Sequence, residues 1–170
     1  RKIIERAQPD AALVDAIMDR PGTSFLFMSP DDPRIMALVS KYPARVKRGW
    51  SYNAEGVREE LGRSDMGILV REETITNRVA SPTKFAEYLA CGLPVMISPK
   101  LGDFSELVLK HDLGVLYTPG EVLPALKPVT AADRDRYRAF AMAHFTKPAY
   151  DAEYRVLLGK LSWCDPPGTE

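Results

Sequence analysis

Four short apolar runs cross the sequence without alternating: SFLFM at residues 24–28, MGILV at 66–70, PVMIS at 94–98 and GVLY at 114–117. A strand with one wet face alternates apolar and polar residues, because successive side chains point to opposite faces of its sheet. Unbroken apolarity requires both faces to be covered, which is the condition of parallel strands sandwiched between helices. A shorter candidate, RVK at 45–47, is expected to add an edge strand.

The segments between these runs carry helix start signals. Asp10 precedes Leu13, Val14 and Ile17; Asp32 with Pro33 precedes Ile35, Met36 and Val39; Asn53 precedes Val57 and Leu61. A small polar acceptor just before an apolar stripe satisfies the orphan N–H groups of a first helical turn. Asp103 with Glu106, and Thr130 with Asp133, have the spacing of capping boxes. Strand and helix therefore alternate, and the expected fold class is α/β: a Rossmann-like, doubly wound parallel sheet followed by terminal helices. A chain of 170 residues suffices for one such domain. The expected division is a Rossmann-like domain over 1–128, helices over 129–165 that pack back on it or beyond it, and a tail at 166–170. Residues 118–130, with three prolines, read as the linker to those helices, the second of which is expected near 150–161. Residues 1–7 make a weak strand, and the sequence opens on Arg1 rather than Met, so the chain is expected to be a piece of something longer with its first strand outside it.

Lys plus Arg equals Asp plus Glu at 23 each, so no global field draws the chain to nucleic acid or to an anionic membrane, and anion binding has to be local. Cys91 and Cys164 are far apart and lack CxxC spacing, and His111 and His144 lack paired-ligand context, so neither a disulfide scaffold nor a metal site is expected. The Asp133-x-Asp135 pair falls in a polar helical stretch and reads as a solvated face. No apolar run approaches the ~20 residues of a membrane helix, and a cytoplasmic location is expected, with peripheral membrane association of the full-length protein left open.

The loops after the runs ending near Met28, Val70 and Ser98 matter most, since ligands of open parallel sheets sit beyond the carboxyl ends of the strands. After Val70 comes a charged loop containing Arg71, Asn77 and Arg78, then a helix opened by Ser81 and Pro82 and closed by Gly92 and Pro94. Lys84 stands in its first turn, where a cation opposes the helix dipole by ~0.3–1 kcal/mol unless an anion reverses the sign. Ser81, Thr83, Lys84 and the first-turn amides form a candidate phosphate cradle that Arg71 and Arg78 are placed to close. Glu87, one turn beyond Lys84, is placed to accept hydrogen bonds from vicinal hydroxyls. Spacing alone is equally compatible with a solvated Lys84 and an i, i+3 surface pair.

The strings SDMGILV at 64–70, SPTKFAEYLACGLPVMIS at 81–98 and GDFSELV at 102–108 resemble the carboxy-terminal domain of GT-B glycosyltransferases, most of all the retaining family 4, or group 1, type. In element order the resemblance covers residues 9–117. It implies a donor site for a nucleoside-diphosphate sugar, no metal and no cofactor, and an acceptor-binding amino-terminal domain that is absent from this chain. Carried over at matching positions of a nucleotide-sugar-binding domain over 1–128, Glu87 binds the ribose, Lys84 and the amides near Ser81 and Thr83 meet the diphosphate, and the base lies against Gly49, Trp50, Ser51 and Tyr52, with the helices over 129–165 packing back or toward the missing amino-terminal half; Arg71, Asn77 and Arg78 of the charged loop complete the candidate substrate-binding set. One departure stands out. Val79 occupies the position of the first of the family's two glutamates, so the catalytic residue is unassigned. A sugar-nucleotide epimerase of the same architecture and a non-catalytic nucleotide-binding or docking module remain as alternatives.

Overall fold

The computed structural model describes residues 2–5, 10–51, 53–71, 73–75 and 83–146. Its strands are β1 (Lys2–Glu5), β2 (Ser24–Met28), β3 (Val46–Gly49), β4 (Met66–Leu69), β5 (Val95–Ile97) and β6 (Gly114–Leu116). Among the described residues the helices are α1 (Ala11–Met18), α2 (Pro33–Lys41), α3 (Ala54–Gly62), α4 (Thr83–Ala90), α5 (Phe104–Lys110) and α6 (Ala131–His144). The strands form one sheet in the order β3-β2-β1-β4-β5-β6, and every pairing is parallel. The four continuous runs became β2, β4, β5 and β6.

The first strand lies within the chain, against expectation, and at the centre of the sheet. β1 pairs with β2 on one side and β4 on the other, with Ile4 opposite Leu26 and Gly67. Only two of its four residues are apolar, so its sequence pattern is weak. Its central place comes from neighbours that bury it, and from Asp65, whose N–H donates to the Lys2 carbonyl at 2.7 Å while its carboxylate accepts the Lys2 N–H at 2.8 Å. The edge strand β3 begins one residue later than expected, although the Arg45 carbonyl already accepts the Phe25 N–H of β2 at 2.8 Å. The Arg45 guanidinium donates to the carbonyls of Met18, Arg20 and Thr23 at 2.6–2.8 Å, tying off the end of α1.

Two cores flank the sheet, as continuous apolarity demands. Ile3, Phe25, Phe27, Met66 and Ile68 face Leu13, Val14 and Ile17 of α1 and Ile35 of α2. Ile4, Leu26, Leu69, Val95 and Ile97 face Phe85, Tyr88 and Leu89 of α4, Val108 of α5 and Tyr137 of α6. The proline-rich segment 118–130 is more than a spacer: Leu123 and Leu126 join the first core, and Arg20 donates to the carbonyls of Leu123 and Pro124.

The caps form at Asp10, Asp32 and Asn53, each accepting an N–H of the following turn, and Thr130 with Asp133 makes a full capping box. The Asp103–Glu106 box does not form. Asp103 itself adopts helical angles with no side-chain cap, and Ser105 Oγ instead accepts the Leu101 N–H at 2.9 Å while donating to the Ser98 carbonyl at 2.9 Å. Asp133 is occupied by its box and Asp135 by Arg138 at 3.0 Å, in keeping with a solvated face. Helix α6 braces the amino ends of the strands: Arg134 donates to the Ser64 carbonyl at 2.8 Å and Arg136 to the carbonyls of His111 and Asp112. The second terminal helix and the tail expected at 150–161 and 166–170 lie outside the described residues.

Candidate functional site

The winding direction reverses between β1 and β4. From β1 the chain steps outward through β2 to β3, then resumes at β4 and steps the other way to β6. Beyond the carboxyl ends of strands flanking such a reversal, the helices diverge to opposite faces and leave a crevice. Glu5 ends β1 at this point, Val70 and Arg71 follow β4, Asp10 caps α1, and Thr83 and Lys84 open α4.

Helix α4 is fixed along one side and exposed along the other. Phe85, Tyr88 and Leu89 are fully buried, and the Phe85 ring lies 4.8 Å from Phe104 and 5.7 Å from Phe145. The helix ends in a Schellman motif, with Leu93 N–H bonded to the Tyr88 carbonyl at 2.9 Å and Gly92 N–H to the Leu89 carbonyl at 2.8 Å. Gly92 has φ of +78°, an angle glycine adopts without steric cost, and a Cβ there would lie 2.9 Å from Arg134 Cβ. What remains outward is polar: Thr83 and Glu87 are exposed and Lys84 is half-buried. Residues three apart share a helix face, so Lys84 and Glu87 stand one above the other.

The adjoining loops are stitched together by one hydroxyl. Ser98 Oγ accepts the Arg71 N–H at 2.6 Å and donates to the Arg71 carbonyl at 2.8 Å, joining the loop after β4 to the end of β5. Lys100 and Glu73 add an ion pair across the same two loops at 3.1 Å.

The loop after β3 holds Gly49, Trp50 and Ser51, with Trp50 44% exposed and Ser51 Oγ donating to the Asn53 carbonyl at 3.1 Å. Gly49 and Trp50 line a groove of about 740 Å³ between α3 and the edge of the sheet. Two strand spacings, ~10 Å, separate β3 from β1.

Of the residues singled out from the sequence, Thr83, Lys84 and Glu87 share the start of α4, Arg71 stands in the neighbouring loop, and Gly49, Trp50 and Ser51 form a second group at the sheet edge. Ser81, Asn77, Arg78 and Tyr52 lie outside the described residues. Sequence reasoning missed Ser98, and it missed Glu5. Alternation along β1 puts Glu5 on the face of Ile3, paired in register with Phe27 and Ile68, and it is 1% exposed. Burial among these apolar neighbours pushes its carboxyl up to about 8; the Asp10 carboxylate pushes the same way, and the Lys84 ammonium pulls it partly back. The signal available in the sequence was a charged residue directly after two isoleucines, at what had to be a strand's carboxyl end.

No family model matches the chain, and no curated protein does. Solved structures do. Sucrose-phosphate synthase from Thermosynechococcus elongatus superposes with a TM-score of 0.67 at 18% identity, over 94% of this chain and 45% of that one. HepE of Anabaena in complex with UDP gives 0.68 at 18% identity, over 94% and 49%. AviGT4, a glycosyltransferase involved in avilamycin A biosynthesis, gives 0.54 at 18% identity, over 93% and 51%. The fold is that of one half of a GT-B glycosyltransferase. The chain spans about half the length of the structures it matches, which fits a GT-B half-domain with one sheet and one switch-point crevice. No helix among the described residues of this half-domain is long and apolar enough to cross a membrane.

Proposed function

We propose that this chain is the donor-binding half of a glycosyltransferase, taking a nucleoside-diphosphate sugar whose diphosphate rests at the start of α4. The observation that carries the reading is the placement of Lys84: a cation in the first turn of a helix whose buried side locks it in place, opening onto the switch-point crevice. A helix start concentrates partial positive charge, so a lysine added there is stabilised by an anion between them. The exposed carboxylate of Glu87, one turn on, suits a ribose, and the Trp50 loop, two strands away, suits the base. Support from comparison comes from HepE, a fold neighbour solved with UDP and also with UDP and glucose.

In such a crevice the protein's contribution to transfer is positional and electrostatic. Lys84 and the helix dipole face the diphosphate as it departs and accumulates charge, and Arg71, held at both its backbone groups by Ser98, lines the approach. The acceptor belongs to a second domain, so the chain alone should bind nucleotide without transferring sugar. A cytoplasmic setting accords with this reading.

Calorimetry with UDP, GDP, ADP and TDP tests it. One of the four should bind, and Lys84→Glu should weaken that binding by at least ~100-fold with the fold intact, since both a contact and the sign of the local field are lost. Undiminished affinity in the variant would remove the cradle. Glu87→Ala should abolish the preference for a ribose over a 2′-deoxyribose nucleotide; if both sugars weaken equally, Glu87 has no ribose role. A docking module without a donor would show no binding to any of the four.

A further inference from the structure

Among the described residues Glu5 is the only acidic or basic side chain in the interior, and its Oε2 has no hydrogen-bond partner there. An unpaired buried carboxylate is unstable relative to its protonated form unless a positive charge stands near it. Glu5 ends β1 beside β4 at the reversal of the sheet, and the helix that follows β4 opens there with Lys84 in its first turn, so Lys84, to which the anion site is assigned, is the cation placed to favour the carboxylate; Asp10 at the start of α1 opposes it, and the flanking strands present Phe27 and Ile68.

We propose that Glu5 is a positioning residue that couples proton uptake to occupancy of the donor site: with the crevice empty its carboxylate shares the charge of Lys84, and when a diphosphate engages Lys84 the carboxyl takes up a proton. The inference deepens the donor-site reading and rests on it. A bound diphosphate withdraws the stabilisation that Lys84 extends to the carboxylate and adds repulsion of its own, so the neutral acid is favoured. The balance is simple: one proton passes from solvent to Glu5 Oε2 or Oε1 as the ligand arrives, and no covalent bond to the ligand forms. By linkage the effect is reciprocal, so deprotonating Glu5 weakens the ligand.

The test is UDP binding to the full chain at about pH 8.5, measured in two buffers of different ionisation enthalpy; the ligand's terminal phosphate, with a second pKa ≈ 6, is then fully ionised and silent. Wild type should take up a substantial fraction of a proton, and its affinity should fall by up to ~10-fold per pH unit above that point. Glu5→Gln should bind UDP with no such uptake and with affinity independent of pH over the same range. A carboxyl-carbon signal from labelled Glu5 should titrate to higher pH on saturation with UDP, and should lose that response in Lys84→Met. Equal proton uptake by wild type and Glu5→Gln, or a Glu5 signal indifferent to UDP, overturns the coupling alone. Where UDP does not bind, the same measurement is made with GDP, ADP and TDP, and absence of wild-type binding to all four overturns the donor-site reading and the coupling together.

Discussion

Glu5→Gln should make the protein more stable than wild type at pH 8.5, by roughly 3–5 kcal/mol at most, and by no more than ~1 kcal/mol at pH 5. The sign follows from linkage. In the native state the Glu5 carboxyl titrates at about 8, against an ordinary value of 4.5. At pH 5 the native carboxyl is protonated while the unfolded one is already mostly ionised, but this close to 4.5 the difference costs under ~1 kcal/mol. As pH rises the unfolded chain loses its proton first, so unfolding becomes progressively easier until the native carboxyl also ionises near pH 8, where the loss levels off. The carboxylates held low behave oppositely: Asp32, beside Arg34, sits at about 2, and Asp15, Glu60 and Asp133 are also lowered, so their contribution disappears only in acid. The difference between wild type and Glu5→Gln over pH 5 to 8 therefore isolates Glu5. Urea unfolding midpoints of both proteins at the two pH values decide the matter, and parallel profiles would show that the buried carboxyl is not the source.

Gly67→Ala should destabilise the domain by about 3 kcal/mol, lowering the unfolding temperature by ~6–12 °C. A Cβ at this position of β4 would lie 2.4 Å from Cδ2 and 2.5 Å from Cγ of Tyr88. Carbon atoms in folded proteins do not approach so closely, and the ring is fully buried, so it cannot swing aside. Relief requires lifting α4 off the sheet, which also displaces Lys84 from the crevice. The cost should be specific to this contact. Adding Tyr88→Leu to Gly67→Ala should recover part of the loss, giving a coupling of at least ~1 kcal/mol in a double-mutant cycle. Strict additivity would show that the ring does not bear on the glycine.

The sheet was legible where burial on two faces leaves an unbroken apolar run, as at Phe25 to Met28 and Val95 to Ile97. It was illegible at β1, where Lys2 and Glu5 bracket only two isoleucines and the strand owes its place to Leu26 and Gly67 beside Ile4. Spacing located most helix starts, since Asp, Asn and Thr caps act through local hydrogen bonds. It failed at Asp103, because a non-local demand, the Ser98 carbonyl, recruited Ser105 instead. The same distinction holds for the crevice. Lys84 and Glu87 were identifiable as a helical pair, whereas Glu5 and Ser98 meet Lys84 and Arg71 only through the folded sheet, across 79 and 27 positions of sequence respectively.

A single serine grips both backbone poles of Arg71, and its own carbonyl is gripped in turn by Ser105. Two hydroxyls thus tie the loop after β4, the end of β5 and the first turn of α5 into one hydrogen-bonded rim, so a substitution at Ser98 or Ser105 should be felt at Arg71 as well.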